Sequence, residues 1–321
     1  MIAIDLGSNT LRVVQIDCKS MKIINDYEKI VKTADGLAQS GLINDEATAR
    51  VISAIKEAKE KIDFTSDTLK AVTTEAVRRA KNSDKILLQI KKETGVVFEI
   101  ILGDEEARLT LLAVKHRLVK LQYASDSFVL IDIGGGSTEL IFHYENEVIA
   151  KSFPVGIVTI AQSYETLDSI QKALPKEMLE MQMFCTEVYA TKGKVNSFVA
   201  TAGTPTTVAA MKLGQTYATY DAKKINGTSL KMKELDFYLK KLLSLPFEER
   251  EVAVGTGRSD LIAAGILIFK QLYSMLEFDT CVVIDDGLRE GVALEECLFE
   301  STEYLGYSVD SISTLTSLKK K

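Results

Sequence analysis

The sequence is poor in the residue types that build metal and redox sites. Its 321 residues include only two histidines and four cysteines. Neither His116 nor His143 has a cysteine or aspartate at the spacing of a metal-binding motif, so both are predicted to pack or to face solvent. The absence of CxxC spacing excludes zinc-finger and disulfide-framework classes and predicts reduced thiols. These thiols are Cys18, Cys185, Cys281 and Cys297.

Several motif classes and bulk properties are also missing. There is no GxxxxGK[ST] P-loop and no GxGxxG fingerprint, which excludes those nucleotide-binding folds. A formal charge of −6 argues against a chain-wide attraction to nucleic acid or to an anionic membrane, so a polyanion would need local arginines and backbone amides. The sequence has neither a basic leader nor a run of roughly 20 apolar residues. We therefore expect a soluble, cytoplasmic protein.

The most informative stretch runs from position 128 to position 142. Apolar residues predict a buried strand that ends at Asp132, and Gly134, Gly135 and Gly136 then turn the chain into a second strand. Successive amides in such a turn form an anion site, to which Ser137 adds a hydroxyl. Together with Asp132, Glu139 would place hard oxygen ligands beside that anion. The pattern predicts a phosphate held with Mg²⁺.

The first residues repeat this pattern about 127 positions earlier. Residues 2–16 align without a gap on residues 129–143, which predicts a duplicated α/β unit. Asp5 aligns with Asp132 as a further metal-ligand candidate, and Arg12 aligns with Glu139. The predicted first phosphate turn consists of Gly7, Ser8, Asn9 and Thr10. Two such units that face each other would direct both turns into one cleft between domains.

Three further segments carry candidate site residues. Gly203 and Thr204 follow a predicted strand and begin an apolar helix, an arrangement suited to an anion but also to a simple helix cap. Glu105 and Glu106 begin the predicted helix 103–120, where they could stabilise the helix or place a general base at the cleft. Several arginines could either bind an anion or face solvent. They are the neighbours Arg78 and Arg79, and also Arg12 and Arg258.

Five motifs in order resemble one family. They are Asp5-Leu-Gly-Ser-Asn-Thr10, Thr73-Thr-Glu-Ala-Val-Arg-Arg-Ala80, Gly103-Asp-Glu-Glu-Ala-Arg108, Asp132-Ile-Gly-Gly-Gly-Ser-Thr-Glu139 and Gly287-Leu-Arg-Glu-Gly291. Together they are similar to the exopolyphosphatase/guanosine pentaphosphate phosphohydrolase family of the actin-like superfamily. The resemblance implies an α/β fold of two ribonuclease-H-like (actin-like) lobes around an interdomain cleft. The expected lobes are 1–122, rejoined by a C-terminal helix within 288–321, and 123–287.

The resemblance also implies roles for the site residues. Glu106 would be the general base and Arg78 the counter-charge, while Asp132 and Glu139 would hold Mg²⁺. The glycine amides and Ser137 would bind the terminal phosphate, and Arg12 and Arg258 the rest of the polyanion or a guanosine ligand. Two departures are the proline after Thr204, which removes an amide donor, and the expected lack of the helical domains of longer members.

The implied activity is hydrolysis of the terminal phosphate of polyphosphate or guanosine pentaphosphate, within the stringent response. Polyphosphate and guanosine penta- or tetraphosphate are the expected ligands, nucleic acid and membranes are not, and a homodimer is the expected assembly. One alternative is an alarmone-binding regulator or scaffold with slow turnover. A less favoured alternative is a small-molecule kinase of the same superfamily, which the Glu106 motif disfavours.

Overall fold

Two mixed sheets form the framework of the protein. The computed structural model describes residues 1–65, 67–145 and 147–305, with side chains described up to residue 299. The sequence predicts a turn at Glu145-Asn146 and a poorly ordered tail from Ser308. Glu145 does lie in a turn, whereas Asn146 and the tail lie outside the described residues. The first sheet has the order β3-β2-β1-β4-β5. Its strands are β1 (Ile2–Leu6), β2 (Thr10–Asp17), β3 (Lys22–Ile30), β4 (Leu69–Thr73) and β5 (Phe98–Ile100).

Helices cover the first sheet because its central strands are apolar on both faces. In α2 (Asp45–Lys61), Asn44 caps the N-terminus by accepting a 2.7 Å hydrogen bond from the Ala47 amide. Buried alanine, valine and isoleucine residues recur along this helix at helical spacing and form one face of the core. The helices are α1 (Leu37–Ser40), α2 (Asp45–Lys61), α3 (Glu75–Arg79), α4 (Ser83–Thr94) and α5 (Gly103–Lys120).

The second sheet repeats the first and adds one edge strand. Its order is β10-β11-β9-β6-β7-β8. The strands are β6 (Phe128–Ile133), β7 (Thr138–Tyr144), β8 (Glu147–Phe153), β9 (Ser197–Thr201), β10 (Thr228–Lys231) and β11 (Thr280–Val283). In both sheets three antiparallel strands continue into two parallel ones, which is the ribonuclease-H-like arrangement expected from the sequence.

The second half of the chain contributes the remaining helices. They are α6 (Ile157–Ser163), α7 (Leu167–Glu177), α8 (Leu179–Lys192), α9 (Gly203–Lys212), α10 (Ala222–Ile225), α11 (Met232–Ser244), α12 (Phe247–Val254), α13 (Ser259–Leu276) and α14 (Leu288–Leu305), with a 3₁₀ turn at Tyr217–Thr219. Among the described residues only α13 is long and apolar enough for a membrane span, and 67% of it is buried in the protein. It is the core helix of the second half.

The duplication predicted from the sequence is confirmed by equivalent hairpins. The Gly7 amide donates to the Thr10 carbonyl at 3.0 Å, and the Gly134 amide donates to the Ser137 carbonyl at 2.9 Å. In the first hairpin Asp5 lies opposite Arg12. In the second, Asp132 lies opposite Glu139 in the same register. At this register position the first hairpin has an arginine where the second has a glutamate.

Two helices connect the halves. One face of α5 packs on the second sheet through Ala107, Leu111, Val114 and Leu118. The final helix α14 packs on the first sheet through Leu288, Val292 and Ala293. Helix α5, which carries Glu106, is therefore held between the two sheets. The boundary near residue 122 and the course of the chain from 306 to 321 stay predictions.

The expectation of four reduced thiols is wrong for two of them. Cys18, in the turn after β2, forms a disulfide with Cys297 in α14. The two residues are 279 positions apart, so nothing in their local spacing could announce the bond. Folding brings them together because α14 lies across the first sheet. Cys185 and Cys281 are free and buried, as expected.

Candidate active site

The two glycine turns meet across the cleft at van der Waals distance. A Cβ atom added to Gly135 would lie 2.9 Å from the Cβ of Ser8, and one added to Gly136 would lie 2.7 Å from the Ser8 hydroxyl oxygen. Any side chain at these two positions would push the turns apart. The glycines therefore permit the close approach that places both sets of backbone amides on one small cavity.

That cavity has a volume of about 100 Å³ and is lined by both turns and by carboxylates. The predicted phosphate-binding residues that line it are Gly7, Ser8, Asn9, Thr10, Gly134, Gly135, Gly136, Ser137 and Gly203. Thr204 does not line it; its hydroxyl is fully buried and packs against Gly265 of α13. The helix that begins at Gly203 thus directs its first backbone groups, and not the predicted hydroxyl, toward the cleft.

The turn before that helix is strained. Ala202 adopts φ of 69°, a left-handed conformation that is unfavourable for a residue with a Cβ. The residue also lines the small cavity. Strain of this kind concentrates at ligand sites, where the surrounding structure holds it in place. Sequence inspection gives no sign of it because alanine is an ordinary helix-forming residue.

Four carboxyl groups lie at the cavity or next to it, and burial is the main cause of their raised pKa values. Asp5, Asp132 and Glu106 line the cavity, and Glu139 lies opposite Asp132 on β7. The pKa of Asp5 is raised to about 7, that of Asp132 to about 6 and that of Glu139 to about 8. Burial and then the charges of Glu139, Asp132 and Asp5 raise the pKa of Glu106 well above its usual range. Arg12 and Arg78 lower these pKa values but only partly offset the effect of burial and of the neighbouring acids. The cluster is an attractive site for a cation.

Of these acids, Glu106 is the one best placed to act as a base. Its carboxylate oxygen Oε2 is buried and has no hydrogen-bond partner among the described residues. Arg78 Nη1 lies 3.9 Å away, but its guanidinium group is already held by Glu75 and by the Ile101 carbonyl oxygen, at 2.6 Å from the latter. A buried oxygen with free lone pairs at a cavity wall can accept a proton from a water molecule.

The donor set fits Mg²⁺ by its chemistry. Within the described ranges, no group of three or more histidine, cysteine or acidic side chains is already arranged as a complete metal site. Mg²⁺ does not require one, because it usually binds through one or two carboxylates, water and substrate phosphates. Asp5 and Asp132 could supply carboxylates from the cavity wall, with Glu139 as a further candidate opposite Asp132. The Glu139 carboxylate is held by a 2.7 Å hydrogen bond from the Ser152 hydroxyl.

The predicted arginines divide between two positions. Arg78 lies beside Glu106 and lines a side cavity of about 340 Å³, whereas Arg12 and Arg258 line the small cavity. Arg12 and Arg258 also line a much larger neighbouring cavity of about 910 Å³. Arg12 comes from the first sheet and Arg258 from the start of α13, so the cleft brings together cations that are 246 positions apart (258 − 12).

Three residues near the site escaped the sequence-based prediction. Glu28 on β3 contacts Arg12 and faces Arg258, and Glu75 pairs with Arg78. Arg289 at the start of α14 pairs with Glu290 and approaches Asp285. The Gly287–Gly291 motif contained a signal for Arg289. Glu28 had none, since β3 itself was not predicted.

Comparison with known proteins agrees with this geometry. The family model of the Ppx/GppA phosphatase family matches residues 12–300. Exopolyphosphatase 1 of Mycobacterium leprae is 27% identical over 302 residues, covering 91% of this chain and 88% of that protein. Exopolyphosphatase 2 of Mycobacterium tuberculosis is 27% identical over 318 residues, covering 91% and 97%.

Solved structures show the same relationship. The Aquifex aeolicus member of the Ppx/GppA family is 31% identical, with a TM-score of 0.70 over 93% of this chain and 97% of that one. An exopolyphosphatase from Cytophaga hutchinsonii, 22% identical over 93% and 97% of the two chains, shares the fold with a TM-score of 0.79. The family match includes the second glycine turn, the candidate acids other than Asp5, and the arginines, whereas the first strand and its turn precede the matched residues. The chain belongs to the Ppx/GppA phosphatase family and is a hydrolase of that family.

Proposed function

We propose that the protein is a Mg²⁺-dependent phosphoanhydride hydrolase that releases the terminal phosphate of inorganic polyphosphate. The observation that carries this proposal is the unpartnered, buried Oε2 of Glu106 beside two facing glycine turns. The turns supply amides for one phosphoryl group, and the acid supplies a base for water. The names of the mycobacterial relatives support polyphosphate as the substrate.

In the proposed reaction, Glu106 accepts a proton from a water molecule while the water oxygen forms a bond to the terminal phosphorus. The bond from phosphorus to the bridging oxygen breaks, and its electron pair stays on the shortened polyphosphate. The amides of Gly134–Ser137 and the Ser137 hydroxyl stabilise the charge on the equatorial oxygens. When bound at Asp5, Asp132 and Glu139, Mg²⁺ would neutralise part of that charge.

Arg78 has a narrower role in this proposal than the predicted direct counter-charge. Its contacts with Glu75 and the Ile101 carbonyl fix its guanidinium near Glu106, and Arg78 does not line the small cavity. A cation at that distance favours the ionised form of Glu106, which is the form that a general base requires. Contact with a phosphate oxygen would need release from Glu75.

We also propose guanosine pentaphosphate as a second substrate. The 910 Å³ cavity joins the small one at Arg12 and Arg258, and it is large enough for a nucleoside. Tyr217 and Tyr220 line it and could stack on a base. Phosphates that extend from the glycine turns would pass the two arginines before the nucleoside enters the large cavity.

The test is phosphate release by purified protein with Mg²⁺ from long polyphosphate, tripolyphosphate, guanosine pentaphosphate and ATP, run in parallel. We expect release from the polyphosphates and from guanosine pentaphosphate, and a much lower rate with ATP. Tight binding of guanosine pentaphosphate without release from any substrate would establish the regulator instead. Transfer from ATP to an added acceptor hydroxyl, without hydrolysis of polyphosphate, would establish the kinase.

A further inference from the structure

Glu28 holds an unusual position between two arginines from opposite sides of the cleft. Its carboxylate oxygen Oε2 lies 3.1 Å from Arg12 Nε on the neighbouring strand, and its Oε1 lies 3.8 Å from Arg258 Nη1. Arg12 and Glu28 are directly opposite each other in the β2–β3 ladder. The link to Arg258, by contrast, crosses from the first sheet to the start of α13.

Arg258 is a buried cation with incomplete pairing. Its residue exposure is only 8%, and Glu28 is the carboxylate within ion-pair distance of it in the described part of the chain. The Arg258 guanidinium also donates a 3.4 Å hydrogen bond to the Thr207 hydroxyl. Tyr217 stacks near the guanidinium, with its ring centroid 5.9 Å away. A guanidinium buried with one distant carboxylate retains capacity for another anion.

The cavities show where that anion would come from. Arg12 and Arg258 line both the small cavity of the glycine turns and the large cavity, whereas Glu28 lines only the large one. The Glu28 carboxylate therefore stands at the boundary, on the side from which the rest of a bound polyanion would extend. A ligand phosphate that contacted both arginines would occupy the space next to this carboxylate and be repelled by it.

We propose that Glu28 is a built-in competing anion, which occupies Arg12 and Arg258 in the free protein and is displaced by a polyanionic ligand. The proposal rests on the proposed function, because it concerns the polyphosphate path through the same cleft. Displacing a carboxylate lowers the affinity of every anion that reaches the arginines. A chain of phosphates offsets this cost with further contacts at the glycine turns, whereas orthophosphate cannot. Glu28 thus selects multivalent ligands and limits retention of the product.

The test measures binding without turnover. Binding of tripolyphosphate and of orthophosphate to wild type and to Glu28→Gln is measured by calorimetric titration in the presence of a chelator. We expect the variant to bind tripolyphosphate about tenfold more tightly and to gain measurable affinity for orthophosphate. The gain should shrink as salt is raised, because it is electrostatic.

Asp26→Asn is the matched control. Asp26 lies two residues away on the same strand, is exposed, and lines the large cavity. This substitution removes the same charge from the same cavity, and we expect it to change the affinity for tripolyphosphate by less than about twofold. An equal gain from both substitutions would overturn the proposal, since it would reflect net charge alone.

Unchanged or weaker binding by Glu28→Gln would also overturn it, and weaker binding would show that Glu28 orients the arginines for the ligand. Thermal unfolding verifies that the variant is folded. If it is not, Glu28→Asp, which keeps the charge but shortens the side chain, should bind more tightly than wild type; equal or weaker binding contradicts the proposal. Because these titrations need no hydrolysis, failure of the proposed activity would appear separately, in the phosphate-release assay.

Discussion

The guanidinium of Arg78 lies 3.9 Å from the buried Oε2 of Glu106, close enough to act on its charge and too far to satisfy its hydrogen bonding. The carboxylate therefore keeps lone pairs for a water molecule while a cation favours its ionised state. This relationship joins an acid at the start of α5 to an arginine at the end of α3. It makes Glu106 the residue on which the proposed chemistry depends.

Replacing Glu106 with glutamine should reduce kcat by roughly 10²–10⁴-fold, the usual contribution of a general base. Glutamine keeps the shape of the side chain but cannot accept the proton, so substrate affinity should be preserved. Steady-state phosphate release measures both values. Glu105→Gln is the control, because Glu105 pairs with Arg108 on the same helical turn. Equal losses in the two variants would contradict the assignment.

Removal of metal should abolish hydrolysis, and added Mg²⁺ should restore it. Asp132 ends β6 beside the glycine turn, where a cation would offset the excess of buried acids. Asp132→Asn should therefore raise the Mg²⁺ concentration required for half-maximal activity by about tenfold or more. The measurement is a Mg²⁺ titration of phosphate release. An unaltered titration curve would show that Asp132 only shapes the hairpin.

Stability without metal should depend on the ionisation of Glu139. Its pKa is raised to about 8 in the folded protein by burial and by Asp132, from 4.5 for a free glutamate. The stability that this neutral form contributes is present at low pH and is lost as pH rises through about 8. Glu139→Gln removes this loss while preserving an acceptor for the Ser152 hydroxyl.

The quantity to compare is the Tm of Glu139→Gln minus the Tm of wild type. We expect this difference to be at least about 2 °C larger at pH 8.5 than at pH 5. Thermal unfolding in a chelator at the two pH values measures this difference. Glu187→Gln, at an exposed position of α8, should show no such pH dependence. A parallel response in both variants would show that the buried cluster is not the cause.

Affinity should rise from short to medium polyphosphate and then level off. A limited set of cations lines the large cavity, and phosphates beyond their reach gain little. These cations are Arg12, Lys22, Arg117, Lys120, Lys223, Arg258 and Arg289. Digestion of long chains should therefore be distributive. Gel electrophoresis should show intermediate lengths, and guanosine pentaphosphate should be a comparable substrate. Direct conversion of long chains to short ends without intermediates would contradict this expectation.

Reduction of the Cys18–Cys297 disulfide should lower stability. The bond closes a loop of 279 positions and fastens α14, which carries Arg289, to the hairpin that carries Arg12 and Glu28. Removing such a crosslink typically costs about 2–5 kcal/mol. Thermal unfolding with and without reductant measures the effect. Cys18→Ser cannot form the bond, so with or without reductant its Tm should be close to that of reduced wild type. A response of this variant to reductant would have another origin.

The fold class could be predicted from the sequence because it depends on local residue patterns. Alternating apolar strands, glycine turns and the ungapped alignment of 2–16 on 129–143 predicted the duplicated α/β architecture that the structure confirms. Helix α5 has the predicted bounds. Strand β3 was missed because most of its side chains are exposed, so its apolar residues do not alternate with polar ones. Helix α12 was missed because only Val254 among its residues is buried.

The candidate site was predicted as residue types and assembled only by tertiary structure. Sequence determined which residues could bind phosphate, hold a metal or accept a proton, since these properties belong to the side chains themselves. Folding decided which of them meet. It turned the Thr204 hydroxyl into the core, held the Arg78 guanidinium on the Ile101 carbonyl, and joined Cys18 to Cys297. It also set Glu28 between Arg12 and Arg258, a relationship that depends on strand register and on the approach of α13. Contacts between residues so far apart in the chain arise from packing, which no local pattern encodes.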